Sequence, residues 1–463
     1  MVVVMKFGGS SVADGKRIQA AAKLVKAEKG PKVVVVSAMG GVTDKLIKIA
    51  TSVIDLPNTV VEREVSRFCR ELTMQQRKAV IGAVTNKKER GEVLSQSLEL
   101  IEKLRVALLG VGYLEDLSPK SLDYIQSFGE RLNVLVMSGA LNSISVKSAS
   151  LTGFEAGIVT DSSFGRAHPL HSKSRKQVNS ILGSHVKNKI TPVVTGFIAA
   201  DEKARITTLG RGGSDYTASL LGNYLKAKEV QIWTDVDGIL TTDPKLVSEA
   251  KLIPTLSYVE AMDLAYFGAK VIHSKMIEPA MTGRIPVRVK NTFNPSCEGT
   301  LIVSRQKKVS GVIKAVAVIK NVVIVNLEGV GMAETPNIAG RVFSCLGEAN
   351  INILMISGSS ESNLSFVISE SDVERALDAL GMVFTNNFLK SISVLEEVNV
   401  LTVVGAGMRG TKGIASKVFA TVAEADVNVM MIAQGSSEVN ISFVIESDDV
   451  EKAVKSLHGE FIG

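Results

Sequence analysis

An α/β sandwich on a mainly parallel sheet, followed by two small α+β units, is the fold class this sequence predicts. Two observations predict it. Over roughly the first 300 residues, short β-branched runs alternate with amphipathic helical stretches, the pattern of strands buried between layers of helix. Over the last 150 or so, one pattern of strands and helices is written twice, which marks a small domain used in duplicate.

The opening run, residues 2–7, is apolar and β-branched and ends in two glycines. It reads as a first strand, since a secretory leader needs a basic start and a longer apolar core. Further buried strands are expected at 32–37, 192–197, 229–234 and 285–290, each short and bounded by glycine, proline or charge. Residues 15–29 and 215–225 carry apolar positions at helical spacing. From about 52 to 109 the chain is charged and helical without a strand signal, an excursion that covers one edge of the sheet.

At 463 residues the chain exceeds what one core supports, so two or three domains are expected. No apolar run reaches 18 residues, so no membrane span is expected and the cytoplasm is the expected location. Cys69, Cys297 and Cys345 lie far apart with no histidine at ligand spacing. They read as small hydrophobes, and neither a disulfide framework nor a metal site is expected from them. The net charge of +6 interleaves 53 basic with 47 acidic residues and only 5% aromatics, which argues against nucleic acid and fits a small anionic substrate.

In the repeat, Gly329-Val330-Gly331-Met332 answers Gly405-Ala406-Gly407-Met408, and Gly358-Ser359-Ser360-Glu361 answers Gly435-Ser436-Ser437-Glu438. Each copy reads strand, Gly loop, helix, strand, strand, helix, and such a unit needs a fourth strand to complete its sheet. The first copy finds its four at 322–327, 352–357, 363–369 and 390–395. The second has only 398–404, 428–433 and 440–446, and 314–319 is the obvious source of the missing one. The expected partition is a first domain at 1–303, a linker at 304–312, a small domain at 320–396, and a discontinuous one from 313–319 plus 397–463.

Three segments carry chemistry. Lys6-Phe7-Gly8-Gly9-Ser10 follows the first strand and precedes a helix, where glycine amides and a helix N-terminus attract phosphate and Lys6 adds a point charge. The spacing is neither GxxxxGK[ST] nor GxGxxG, and a plain tight turn is the alternative. Thr207-Thr208-Leu209-Gly210-Arg211-Gly212-Gly213-Ser214-Asp215 is a second glycine loop closing on a helix start, an anion loop or simply a capped helix beside a surface arginine. Thr234 and Asp235 stand just past a strand end, where open α/β sheets hold their ligands.

Together these segments resemble the amino-acid kinase superfamily and, within it, the aspartate kinases. The resemblance rests on KFGGSSV (6–12), SAMGGVTD (37–44), SFGERL (127–132), VTGF (194–197), TTLGRGGSD (207–215), WTDVDGILTTDP (233–244), LAYFGAKVIH (264–273) and VKNTF (289–293), and the repeat is similar to that family's paired ACT domains. It implies an ATP- and Mg-dependent enzyme that phosphorylates the side-chain carboxylate of L-aspartate, the first step toward lysine, threonine and methionine. Position by position it implies phosphate binding at Lys6, Phe7, Gly8, Gly9 and Ser10, with Lys6 and Asp215 catalytic. Nucleotide contacts are implied at Thr234, Asp235, Leu240, Lys245 and Lys270, and substrate contacts at Ser37, Thr43, Glu130, Phe197, Arg211 and Ser214. Leu240 and Lys245 depart from the Tyr and Arg common in the family, which removes an aromatic surface for the nucleotide.

A carboxylate nucleophile is already ionised at pH 7, so Asp215 is expected to orient Lys6 or the magnesium shell rather than to act as a base. Arg211 can grip an α-carboxylate and Glu130 an ammonium, although Glu130 can equally pair with Arg131 or Arg211. A feedback amino acid, threonine or lysine, is implied at Gly331, Asn337, Ile338, Ala339 and Asn352, with the ACT units associating into a dimer or tetramer. Glutamate or N-acetylglutamate kinase, or an inert amino-acid-binding regulator, are the competing readings. With no dinucleotide domain before Gly463, a monofunctional enzyme is expected.

Overall fold

Runs such as Lys32–Val36, buried from Val33 onward, have no polar side chain to turn toward water and must be covered on both faces. That demand organises the first part of the chain. The computed structural model describes residues 1–268, 271–304, 312–328, 337–360, 363–383 and 391–463. They form two compact units: Met1–Ile239, Pro254–Tyr258 and Lys270–Arg305 in the first, and Leu240–Ile253, Val259–Ala269 and Gln306–Gly463 in the second. Segments 240–253 and 259–269, which the sequence reading leaves in the first domain, thus group with the repeat.

In chain order the strands of the first unit are β1 (Val3–Phe7), β2 (Lys32–Val36), β3 (Ser148–Leu151), β4 (Val159–Thr160), β5 (Thr191–Thr195), β6 (Ile198–Asp201), β7 (Ile206–Thr208), β8 (Glu229–Thr234), β9 (Thr255–Ser257), β10 (Val287–Asn291) and β11 (Thr300–Val303). Eight of them make one sheet in the order β3-β5-β2-β1-β8-β10-β11-β9, parallel except between β10 and β11. Sequence runs outward from β1 to β2 on one side and jumps to β8 on the other, so the strand order reverses at β1. A crevice opens beyond the carboxyl ends of strands at such a reversal. A small sheet β4-β6-β7 stands beside it and delivers the chain from Thr208 into the second glycine loop.

The helices Gly15–Ala27, Asn58–Ala83, Lys87–Leu114 and Phe128–Ser143 bury Ile18, Val65, Leu104 and Val136 in one core with Val34 and Val36 of β2. Their starts are set by local chemistry. Asp14 accepts from the Arg17 amide, and Asn86 from those of Lys88 and Glu89. Ser118 caps a helix with proline in its first turn.

In the second unit, β12 (Ala315–Glu328), β13 (Met355–Ser360), β14 (Asn363–Ser369), β15 (Ser391–Val404), β16 (Met431–Ala433) and β17 (Asn440–Glu446) form a single sheet, β13-β14-β12-β15-β17-β16. The strands expected separately at 314–319 and 322–327 are one 14-residue strand, as are those at 390–395 and 398–404. They pair antiparallel along their length, with register shifts between 319 and 324 that absorb the join. Residues 315–319 face 400–404, and 322–328 face 391–398. Alternation splits β12 between layers: Val323, Val325 and Leu327 pack under the first copy's helices, while Val322 and Ile324 join Met355, Val400 and Val444 in another cluster.

Candidate active site

The carboxyl ends of β1, β2 and β5 and the N-terminus of the helix Gly213–Tyr224 enclose a cavity of about 320 Å³. Lys6, the penultimate residue of β1, is 8% exposed, and its ammonium stands 2.5 Å from an Asp215 carboxylate oxygen. A lysine this buried needs its charge compensated, and Asp215, in the first turn of that helix, compensates it. The Lys6–Asp215 pair is neutral overall, and the N-terminus of the helix adds its partial positive charge at this end of the cavity.

The first glycine loop behaves differently from its sequence reading in two respects. The Gly8 amide is spent on the Trp233 carbonyl at 3.1 Å, whereas Gly9 lines the cavity. Phe7 is a core residue, fully buried and stacked on Trp233 at 5.9 Å between ring centroids. Ser10 lies beside the loop, its carbonyl accepting from Arg17 at 2.7 Å.

The opposite wall comes from the loop after β2 and the helix Phe128–Ser143. Gly129 lets them meet, for a Cβ there would sit 2.8 Å from that of Ala38. Glu130 is thereby carried in beside Ser37 and Thr43. Burial pushes its carboxyl up to about 8, against hydrogen bonds from the amides of Ala38 and Glu130 itself. One carboxyl oxygen of Glu130 is buried without a partner among the described residues. The structural pairing considered for it, with Arg131 or Arg211, is absent among the salt bridges of the described residues.

Phe197 reaches the cavity from the turn after β5 with φ at +65°, a left-handed conformation costly for an aromatic residue. Its Cδ2 would lie 2.7 Å from a Cβ on Gly213, so glycine is required there. Gly210 and Gly212, at φ +74° and +71°, present the exposed Arg211 to the cavity next to Ser214.

The structure therefore gathers Lys6, Gly9, Ser37, Thr43, Glu130, Phe197, Arg211, Ser214 and Asp215 around one space. Thr234 donates to the exposed Asp235 at 3.0 Å past the end of β8. Leu240 and Lys245 belong to the second unit, and Lys270 lies outside the described residues, so their nucleotide contacts rest on the resemblance alone. Gly331 is likewise outside the described residues. Asn337 borders a cavity of about 290 Å³, Ile338 is instead a core residue of the first repeat copy, and Ala339 and Asn352 are exposed.

Sequence reasoning missed four neighbours. Asn133, fully buried, donates to the Ser37 carbonyl at 2.6 Å; its position one helical turn after Glu130 was an available signal. His273 sits under Gly212, and burial, with Arg211 and Lys275 nearby, lowers its pKa against the pull of Asp215. Lys275 donates to the Leu209 carbonyl at 3.1 Å. Asp123, a lone acid in an amphipathic stretch, carried no signal.

Residues 1–291 match the amino acid kinase family, and 325–384 and 401–461 each match the ACT domain. The sequence is 34% identical over its whole length to aspartokinase 3, chloroplastic, of Arabidopsis thaliana, covering 82% of that protein. The chain belongs to the aspartokinase family. This aspartokinase also superposes along 100% of both chains on E. coli aspartokinase III in complex with aspartate and ADP, with a TM-score of 0.84 and 28% identity. The same enzyme in complex with lysine and aspartate gives 0.83 at 29% identity. No helix among the described residues of the aspartokinase is long and apolar enough to cross a membrane.

Proposed function

We propose that the enzyme transfers the γ-phosphoryl group of ATP to the side-chain carboxylate of L-aspartate, giving 4-phospho-L-aspartate and ADP. The carrying observation is the polarity of the cavity, with the Lys6–Asp215 pair at a helix N-terminus on one wall and the unpartnered Glu130 carboxyl on another. Lys6 neutralises charge on the transferring group, and Asp215 holds its ammonium in place. The Gly9 amide and the dipole of the helix Gly213–Tyr224 fit the phosphates. Arg211 takes the α-carboxylate of aspartate and Glu130 its ammonium, which ionises Glu130 on binding. No base is needed, because the attacking carboxylate is already ionised.

Among the described residues no three acids, histidines or cysteines cluster as a metal cage. That fits a magnesium ion carried by the nucleotide, which takes only one or two protein carboxylates, with Asp215 the candidate. Bound there, magnesium supplies positive charge to the phosphate oxygens. The relative that holds ADP and aspartate supports both ligands. The relative that holds lysine supports a feedback amino acid at the ACT units, lysine or threonine. The pairing of 315–319 with 400–404 supports a second ACT domain that is discontinuous and encloses the first, and association through these domains into a dimer or higher oligomer is proposed on the resemblance to paired ACT domains.

A coupled ADP-release assay across aspartate, glutamate and N-acetylglutamate, repeated with lysine and threonine, tests the reading. Turnover confined to aspartate and lowered by one of the two added amino acids is expected. Preference for another acceptor overturns it.

A further inference from the structure

Arg211 stands on a loop that packing alone does not hold. Glycines at 210 and 212 flank it in the left-handed region, and behind it lies a second cavity of about 330 Å³ bordered by Leu117, Leu122, Phe197, Gly210 and Arg211. An exposed arginine between two such glycines, backed by empty space, has no intrinsic reason to face the substrate. Its position must come from restraints at the ends of the loop.

At the near end the Leu209 amide donates to the Phe197 carbonyl at 2.9 Å, and a second restraint is a buried carboxylate. Asp123, on the helix Pro119–Gln126, is 1% exposed and spends both carboxylate oxygens on the approach to the loop. One oxygen accepts from the amides of Thr208 and Gly165, each at 2.9 Å, and the other from the Thr208 hydroxyl at 2.7 Å. Thr208 is the last residue of β7, three before Arg211, and the Gly165 carbonyl lies in turn against Gly210. A single buried carboxylate thus ties a helix to the strand that enters the loop and to the turn at Gly165 packed against it. Burial raises the Asp123 pKa while the three hydrogen bonds oppose it, as expected of an acid kept for its acceptor geometry.

We infer that Asp123 is a positioning residue for amino-acid binding: it never touches substrate, but through Thr208 and Gly165 it sets where Arg211 meets the α-carboxylate. This rests on the reading of Arg211 as the carboxylate clamp. Lys275 and His273 also touch the arginine loop, at the Leu209 carbonyl and under Gly212, and Asn133 restrains Ser37 on the opposite wall; the bonds of Asp123 are a buried carboxylate's contribution to the same loop and leave the Lys6–Asp215 end alone. The consequence is a split between the two substrates.

Steady-state constants for aspartate and for ATP, measured on Asp123→Ala, Asp123→Asn, Thr208→Val and Arg211→Lys, test it. Asp123→Ala should raise the aspartate KM at least tenfold while the ATP KM moves less than about threefold. Asp123→Asn keeps an acceptor for the two amides and a partner for the hydroxyl, and should restore the aspartate KM to within about threefold of the parent. Thr208→Val, which loses one bond and stays foldable if Asp123→Ala does not, should raise the aspartate KM selectively. Parallel rises in both constants, or an unmoved aspartate KM beside a responsive Arg211→Lys, overturn the positioning role. An unmoved aspartate KM in Arg211→Lys itself overturns the clamp reading instead.

Discussion

Lys6 and Glu130 are both buried ionisable groups, yet the cavity treats them in opposite ways. Lys6 is compensated at 2.5 Å by Asp215 and stays ready to meet phosphate. Replacing Lys6 with alanine removes a charge aimed at the transferring group, a loss of about 3–4 kcal/mol in the transition state. Turnover should fall at least a hundredfold in a folded protein, and stopped-time assays with circular dichroism on the same sample check both halves. Glu130 waits uncompensated, its pKa raised from 4.5 to about 8. Binding an ammonium requires the ionised form, so the aspartate KM should fall as pH rises and level off above about 8. The folded state holds the Glu130 proton more tightly than the unfolded chain does, so this site's contribution to stability is lost as pH climbs from about 4.5 to about 8. Glu130→Gln should abolish the pH dependence of the aspartate KM, and its melting temperature relative to the parent should be higher at pH 8 than at pH 5. A KM slope that survives in Glu130→Gln would assign the titration to another group.

Among the elements, the contact between the helices Gly15–Ala27 and Asn58–Ala83 depends on backbone touching backbone. A Cβ on Gly15 would sit 2.5 Å from the Ala79 carbonyl oxygen and 2.8 Å from the Gly82 Cα. Neither obstacle is a flexible side-chain end, so the helices must part. Gly15→Ala should therefore destabilise the first unit by about 1–3 kcal/mol. Denaturant titration measures it, and a stabilised variant would show that the helix pair yields freely. Gly15 is not among the residues lining the cavity, so the change is expected in stability with the KM values preserved.

For the molecule as a whole, the second unit shows how distant stretches of chain are joined by one buried pair. Glu260 is fully buried in the helix Tyr258–Tyr266, and one of its oxygens accepts from the Lys314 ammonium at 3.0 Å and from the Ala406 amide at 2.8 Å. Asp263, three residues on, accepts from Asn440 at 2.8 Å. Three distant stretches of chain thus meet on one helix. Glu260→Ala leaves the Lys314 charge buried without its carboxylate, which costs about 3–5 kcal/mol. Calorimetry should show one transition moved to lower temperature and a second unmoved, since each unit has its own core. A single transition moved as a whole would mean the units unfold together.

Much of this was legible in the residues. Valine-rich runs can be satisfied only as covered strands, and β1, β2 and β8 lie within a residue or so of where the sequence places them. That Lys6, Glu130, Arg211 and Asp215 meet at one cavity was also readable, since they sit in the motifs that carry the family resemblance. What tertiary structure alone decided depends on partners far away in sequence. Gly8 looks like a phosphate donor until its amide is seen donating to the Trp233 carbonyl, 225 residues later. Nothing in residues 314–328 tells that two expected strands run on as one, because the pairing partner, 391–404, sets that continuity. Asp123 is an ordinary acid in sequence and becomes the anchor of the arginine loop only when β7 is laid against its helix. Local pattern reports what a segment must bury, and only the assembled fold determines which polar group meets which.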